Sequence, residues 1–347
     1  MKLPFAPLPA YCDFSESAVR VLALRSRTVR GERVLEIAGY GECPAAGYRD
    51  GRFINLSDAA ECVYAAAREA SRSAGRRIRR LTANLDDPFL EGVEVDGVAA
   101  LEKGAEGFAP RHIDEALERA RQAVRPSNKH LVYQGVAAYF VDGGDSLADP
   151  IGVFGKELRV VVYLLFSDSE HAQNMKSLMR RAGMVLEALH PSGAAAWSGV
   201  VPTQDRQAGC LVITARPKVC HVVRASASAV QSYRSCMVPE GYSAGEIDQI
   251  VRLAAHPSGA GLKIFLTGEK SEGDELAAQL GDKLGQVIYC AGAPLPGPAY
   301  RGGRYAVLAG LNQSKARPAA GGPTRVIDTT LVRRITTRAK SFVQEYF

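Results

Sequence analysis

"YFVDGGDSLADPIGVFGKELRVVVYLL" (Tyr139–Leu165), followed closely by "HAQNMKSLMRRAGM" (His171–Met184), is the passage on which the fold assignment turns. Its first residues end one strand, "HLVYQGVAAYFVDG" (His130–Gly143), and its middle is rich in turn formers. "ELRVVVYLLFS" (Glu157–Ser167) is then a near-continuous apolar run, the pattern of a central strand covered on both faces. Behind it, "DSEHAQNMKSLMRRAGMVLEAL" (Asp168–Leu189) is expected to be one helix. In front of it, "APRHIDEALERARQAV" (Ala109–Val124) predicts a helix started by Pro110, with Glu115 and Arg119 paired one turn apart.

Working outward, Cys12 to Leu24 alternates as a strand, and "RVLEIAGYGEC" (Arg33–Cys43) reads as its antiparallel partner. "NLSDAAECVYAAAREASRSAG" (Asn55–Gly75) has the Ala and Leu content of a helix, with Ser57 as N-cap candidate and Gly75 as its stop. "RRIRRLTANLDD" (Arg76–Asp87) is a basic turn into a strand. This β-β-α-β order predicts an α/β lobe with a mixed sheet. A second such lobe runs from "GCLVITARPKVCHVV" (Gly209–Val223) to "LKIFLTGEKSEGDELAAQLGDKLG" (Leu262–Gly285), with a helix at "SAGEIDQIVRLAA" (Ser243–Ala255), and "GRYAVLAGLN" (Gly303–Asn312) adds a short helix.

The 347 residues, 46% hydrophobic, suffice for two or three ordinary domains. A net charge of +6 is mild, and the cations are scattered except at "GRRIRR" (Gly75–Arg80) and near the end of the chain, so no nucleic-acid stripe is expected. Seven cysteines, widely spaced and without a CxxC, predict free thiols in a reducing cytoplasm; six unclustered histidines predict no metal site. "MKLPFAPLPAYCDF" lacks the sustained apolar run of a signal peptide, and no segment reaches the roughly 20 apolar residues of a membrane span.

The last residues carry a different signal. In "TTLVRRITTRAKSFVQEYF" (Thr329–Phe347), Leu331, Ile335, Ala339, Phe342 and Tyr346 share one helical face, flanked by Val332, Val343 and Phe347. Arg333, Arg334, Arg338 and Lys340 fall on the flanks and back. Such a helix either docks on the body or lies in a membrane interface, its cations on anionic headgroups. The preceding "QSKARPAAGGPTR" (Gln313–Arg325) has a linker's composition, which favours the membrane.

Taken in order, these pieces resemble FtsA, the actin-fold family that tethers the bacterial division filament to the membrane. "DFSESAVRVLAL" (Asp13–Leu24) stands at the family's first phosphate strand and turn. "DGRFINLSDAAECVYAAAREASRSAGRRIRRLTANL" (Asp50–Leu85) is similar to its passage into an extra subdomain, and "GFAPRHIDEALERARQAV" (Gly107–Val124) to that subdomain's helix. The opening stretch carries the family's VDG…DPxGMxGxxLE and N…RAGL blocks. The resemblance implies an α/β, actin-like fold of two lobes with mixed sheets and an inserted α+β subdomain. The expected division is 1–80 for the first lobe, 81–166 for the insert, 167–205 for a helical return, 206–312 for a reduced second lobe, 313–327 for the linker and 328–347 for the membrane helix. The related pilus-assembly family PilM is the alternative, as is an actin-superfamily ATPase with a remodelled site.

The chain departs from the family where nucleotide would bind. The first phosphate hairpin, D-I-G-T-S-K in the family, reads Asp13, Phe14, Ser15, Glu16, Ser17, Ala18. The second, D-I-G-G-G-T-T-D, becomes Thr214 to His221 with both aspartates gone, Pro217 in the turn, and Arg216 and Lys218 as cations able to attract an anion. At the adenosine site T-G-G-G becomes Thr267, Gly268, Glu269, Lys270. Asp13, Ser15, Ser17, Arg216, Lys218 and Gly268 are what remains of a nucleotide site. Without an acid to organise magnesium or water, a pseudo-ATPase with no ATP or Mg cofactor is expected. Between Val223 and Lys263 there is room only for a strand pair and a helix, where the family carries its FtsZ-binding subdomain, so direct FtsZ recruitment is not expected. The implied function is a membrane scaffold on the cytoplasmic face of the inner membrane. It would be held by Leu331, Val332, Arg333, Arg334, Ile335, Arg338, Lys340, Phe342, Val343, Tyr346 and Phe347 on anionic lipid. Its partners would be copies of itself and cell-division proteins, with no nucleic acid.

Overall fold

A computed structural model describes residues 8–29, 32–124, 126–226, 229–255 and 261–314. Of the linker expected over 313–327, Gln313 and Ser314 instead end a helix; its remainder and the expected terminal amphipathic helix lie outside the described residues.

The first lobe opens as an antiparallel meander of β1 (Ala10–Phe14), β2 (Ala18–Val29) and β3 (Glu32–Pro44). The sequence pattern had joined the first two into one strand. They part because Ser15 closes a tight turn, its N–H donating to Ala18 O at 3.0 Å and its hydroxyl accepting from Ala18 N at 3.2 Å. A small hairpin, β4 (Tyr48–Arg49) and β5 (Arg52–Phe53), leads into α1 (Leu56–Ser73). Its N-cap is Asn55 and not Ser57, because the Asn55 carboxamide oxygen accepts from Ser57 N and Asp58 N. The alanines Ala66 and Ala70 of α1 lie directly on β3, where a Cβ on Gly39 or Gly41 would sit 2.2 Å from a helix carbonyl. The chain then returns through β6 (Arg80–Leu85), parallel to β1.

The inserted unit is β7 (Glu91–Ala100), α2 (Pro110–Ala123), β8 (Lys129–Val141) and β9 (Glu157–Asp168), with the apolar β9 central between β7 and β8. The insert therefore starts at β7, and residues 81–85, grouped with it on sequence, are a strand of the first lobe. Next, α3 (Ser169–Arg181) is shorter than expected: Gly183 adopts φ +70°, and the apolar residues beyond it form β10 (Val185–Pro191), parallel to β6. The first sheet has the order β10-β6-β1-β2-β3.

α4 (Ser192–Val200) and α5 (Thr203–Ala208) lead to the second lobe. There β11 (Cys210–Ala215), β12 (Val219–Ser226) and β13 (Ala229–Met237) form another meander. After α6 (Ala244–Ala254), β14 (Lys263–Thr267) runs parallel to β11; after α7 (Asp274–Leu284), β15 (Ile288–Cys290) runs parallel to β14. The order β13-β12-β11-β14-β15 repeats the first sheet strand for strand, so the two lobes are one topology used twice. Finally α8 (Ala306–Ser314) packs on α4, so closely that a Cβ on Gly310 would fall 1.7 Å from Ala195 O. The repeat turns the first hairpin of each lobe, β1–β2 and β11–β12, toward the same cleft.

Candidate functional site

The cleft begins with Asn84 at the end of β6. Its carboxamide accepts from Phe14 N at 2.6 Å and donates to Phe14 O at 3.0 Å and Ser192 Oγ at 2.9 Å, which fixes the first hairpin. Asp13, just before that turn, is wholly buried. From the other lobe, the β11–β12 turn is closed by Arg216 N on Val219 O at 3.0 Å, and the Arg216 side chain crosses the cleft. Its Nη2 donates to Asp13 Oδ1 at 2.9 Å and to Phe14 O at 3.3 Å, and its Nε to Asp86 Oδ2 at 3.0 Å. Only 1% of Arg216 is exposed. The guanidinium thus fills the space between the two hairpin turns.

Further groups complete the network. His221 Nε2 bonds Asp86 Oδ1 at 2.9 Å, while its Nδ1 bonds Ser235 Oγ at 2.9 Å. Arg20 on β2 lies 3.7 Å from Asp13, 3.3 Å from Glu269 and 3.0 Å from Glu42. Ser17 Oγ donates to Glu269, whose carboxylate also comes within 3.8 Å of Arg216. Glu269 stands where a nucleotide site would keep backbone bare. It is aimed inward because Gly268 bends with φ +104° against β11, and a Cβ there would sit 2.3 Å from Ala215 O.

The electrostatics follow from burial. Burial pushes the Asp13 carboxyl up, against Arg216 and Arg20, which pull it down. Burial works the same way on Asp86, but Arg216 and the His221 hydrogen bond overcome it and bring that carboxyl to about 2. Glu269 is also held low, its burial outweighed by Arg216 and Arg20. Two guanidinium groups face the carboxylates of Asp13, Glu42, Asp86 and Glu269, so the ion network is negative on balance. Asp13 Oδ2, Arg20 Nη1 and Glu269 Oε1 are buried without hydrogen bonds and meet only through these longer ionic contacts. Beside the network, with Arg20, Glu42 and Glu269 in its wall, a cavity of about 470 Å³ opens between Ser17 and Pro44 on one lobe and Pro217, Lys270 and Arg304 on the other.

Of the residues picked out on sequence, Asp13, Ser15, Ser17, Arg216 and Gly268 do converge on this cleft. Lys218 does not join the network: its Nζ donates to Pro239 O at 2.6 Å. Arg216 is committed to carboxylates and is not free to attract an anion. Sequence reasoning missed Arg20, Asn84, Asp86 and His221. The Asp86–Asp87 pair at a strand end was a visible signal; Arg20, one polar position in an alternating strand, had none.

The insert bridges the lobes elsewhere. Tyr163 and Tyr133, on β9 and β8, accept through their hydroxyls from Tyr233 N at 2.9 Å and Val230 N at 3.0 Å on β13. Tyr233 Oη in turn accepts from Gly193 N at 3.0 Å at the start of α4.

No family model matches the chain. It is 24% identical over 179 residues to the cell division protein FtsA of Borreliella burgdorferi, covering 52% of this chain and 43% of that one. It is likewise 24% identical over 194 residues to the FtsA of Neisseria meningitidis serogroup B, covering 56% and 46%. The architecture has a solved counterpart in a chain of the PilM–PilN type IV pilus biogenesis complex, with a TM-score of 0.64 at 13% identity, covering 89% of this chain and 99% of that one. This is a divergent, FtsA-like protein of the actin fold. The chain spans less than half the length of these FtsA relatives.

Proposed function

We propose that this FtsA-like chain is a membrane-attached adaptor of the cell-division machinery whose interlobe cleft holds an ion network in place of a nucleotide. One observation supports this reading of the cleft: Arg216 is buried between Asp13 and Asp86, in the space between the two hairpin turns that the resemblance assigns to phosphates. A phosphate entering there would have to displace a guanidinium from two carboxylates and would then face those carboxylates unshielded, at a cost of several kcal/mol. This donor set does not suit Mg-ATP, and no hydrolytic step is assigned to it. The lobes are fixed relative to one another, and the molecule acts as a scaffold that associates with itself. The amphipathic pattern of residues 328–347 supports attachment to the cytoplasmic face of the inner membrane.

The test is a thermal melt of the full chain with Mg-ATP, together with phosphate release. Ligand at a hundred times its dissociation constant would add about 2.7 kcal/mol, several degrees in midpoint. We expect no rise and no phosphate. A rise of several degrees that Asp13→Ala abolishes refutes the pseudo-ATPase reading. For attachment, full-chain protein is sedimented with anionic vesicles beside Phe342→Glu/Val343→Glu; equal pelleting removes the tail from the account.

A second reading, a pilus-platform component, is favoured by the fold matching the PilM–PilN chain end to end while the division relatives match over less than half their length. A fluorescent fusion separates the two: a division ring supports the first, and recovery with pilus-assembly proteins away from the septum supports the second.

A further inference from the structure

Five arginines occupy nine positions where α1 turns into β6: Arg72, Arg76, Arg77, Arg79 and Arg80, all exposed and with no acid among them in sequence, although Arg80 Nε pairs at 2.7 Å with Glu187 Oε1 on the neighbouring β10. The turn that displays them is rigidly made. Gly75 adopts φ +63°, with its N–H on Arg72 O at 3.2 Å, and Ser71 receives Arg76 N on its carbonyl and Ile78 N on its hydroxyl. Ile78 is buried beneath. A helix C-terminus is stabilised by a cation, but the effect is about 0.3–1 kcal/mol and confined to the last turn, so it does not account for five.

The tertiary structure places this turn at one end of the molecule together with the exit of the chain. Tyr11 pairs with Thr82 across β1 and β6, so Arg79 and Arg80 lie only about 7–10 Å beyond that level. Tyr11 Oη donates to Asn312 Oδ1 at 3.1 Å, which brings the end of α8 to the same pole. Residues 315–347, with the amphipathic segment, follow directly. Val185 adds an apolar contact there, 54% exposed, with its N–H on Arg79 O at 2.8 Å.

We propose that this arginine turn is a second lipid-contacting surface, binding anionic headgroups and setting the folded body against the bilayer on the side from which the tail emerges. The inference rests on the membrane reading of the tail given above. Lipid is favoured over nucleic acid because no aromatic side chain is interleaved with the arginines, while an exposed valine and the end of α8, after which the sequence continues to its amphipathic segment, lie at the same pole. Linking a weak headgroup contact to a weak tail contact raises the effective concentration of each.

The test uses full-length protein throughout, on phosphatidylglycerol and on phosphatidylcholine vesicles, at low and high salt. At roughly a tenfold change for each one or two arginines removed, Arg76→Gln/Arg77→Gln/Arg79→Gln should weaken binding to the anionic vesicles on the order of a hundredfold and flatten its salt dependence. Binding to neutral vesicles should be unchanged. Circular dichroism and melting confirm that the variant is folded; an unfolded one is replaced by the three single substitutions. Wild-type binding that survives the triple change overturns the arginine surface and leaves the tail reading standing. Wild-type protein that ignores both vesicles overturns both. Binding to duplex DNA in preference to anionic vesicles overturns the assignment to lipid.

Discussion

Replacing Arg216 by alanine puts the description of the cleft at risk. The guanidinium holds Asp13 at 2.9 Å and Asp86 at 3.0 Å from the opposite lobe. Removing one partner of a buried pair costs about 3–5 kcal/mol, because the other charge stays buried without compensation. At 2–4 °C per kcal/mol, the midpoint should fall by roughly 6–20 °C at neutral pH. The pH dependence makes the test specific. In the intact protein Asp86 is depressed from its usual 3.8 to about 2, which at 1.36 kcal/mol per pH unit contributes roughly 2 kcal/mol. Because the folded value is the lower one, that contribution is present above the unfolded value and is lost as pH falls through the folded one. Without Arg216 both carboxyls rise above their ordinary range and take up protons on mild acidification. The gap between variant and parent should therefore narrow as pH drops from about 8 to about 5. Urea unfolding followed by circular dichroism reads it out, with Arg216→Lys, which keeps charge but loses the fork, falling between. A variant as stable as the parent at pH 7, or a gap that does not change with pH, would falsify the coupled-network account.

Four further outcomes are expected. Gly268→Ala meets both a positive φ and a carbonyl 2.3 Å from its new methyl group, so it should cost about 1–3 kcal/mol in urea unfolding. Gly75→Ala, with φ +63° and nothing within 4 Å of a Cβ, should cost less. Tyr163→Phe leaves Tyr233 N without its acceptor and should destabilise by about 1–3 kcal/mol, with added hydrogen exchange at β13 as the local readout. Native labelling with a maleimide should modify Cys290 first, since it is the exposed cysteine, while Cys12, Cys210 and Cys220, buried and with thiols pushed up by burial or by a neighbouring cysteine, label only on unfolding.

The sequence by itself determined the order of elements and the class of fold. Apolar runs such as Val160–Leu165 and the alanine ladder of α1 depend only on local periodicity, which survives in a single chain read without its neighbours. It also determined that the hairpins lack the family's glycines and that the second lacks both aspartates, because an absent residue type needs no geometry to notice. Elements were lost where local periodicity ran on past a break: it joined β1 to β2 across the Ser15 turn, which only the family resemblance marked, and it carried the helix through Gly183 because helix formers continue into β10. Only the tertiary structure decided what Arg216 does. It lies 203 residues from Asp13 and 130 from Asp86, so whether that cation waits for an anion or is already spent on two carboxylates depends on how the lobes close. The grouping of the arginine turn with the end of α8 has the same origin. It is set by the pairing of β1 with β6 and by a hydrogen bond between Tyr11 and Asn312, contacts of long sequence separation that no local pattern encodes.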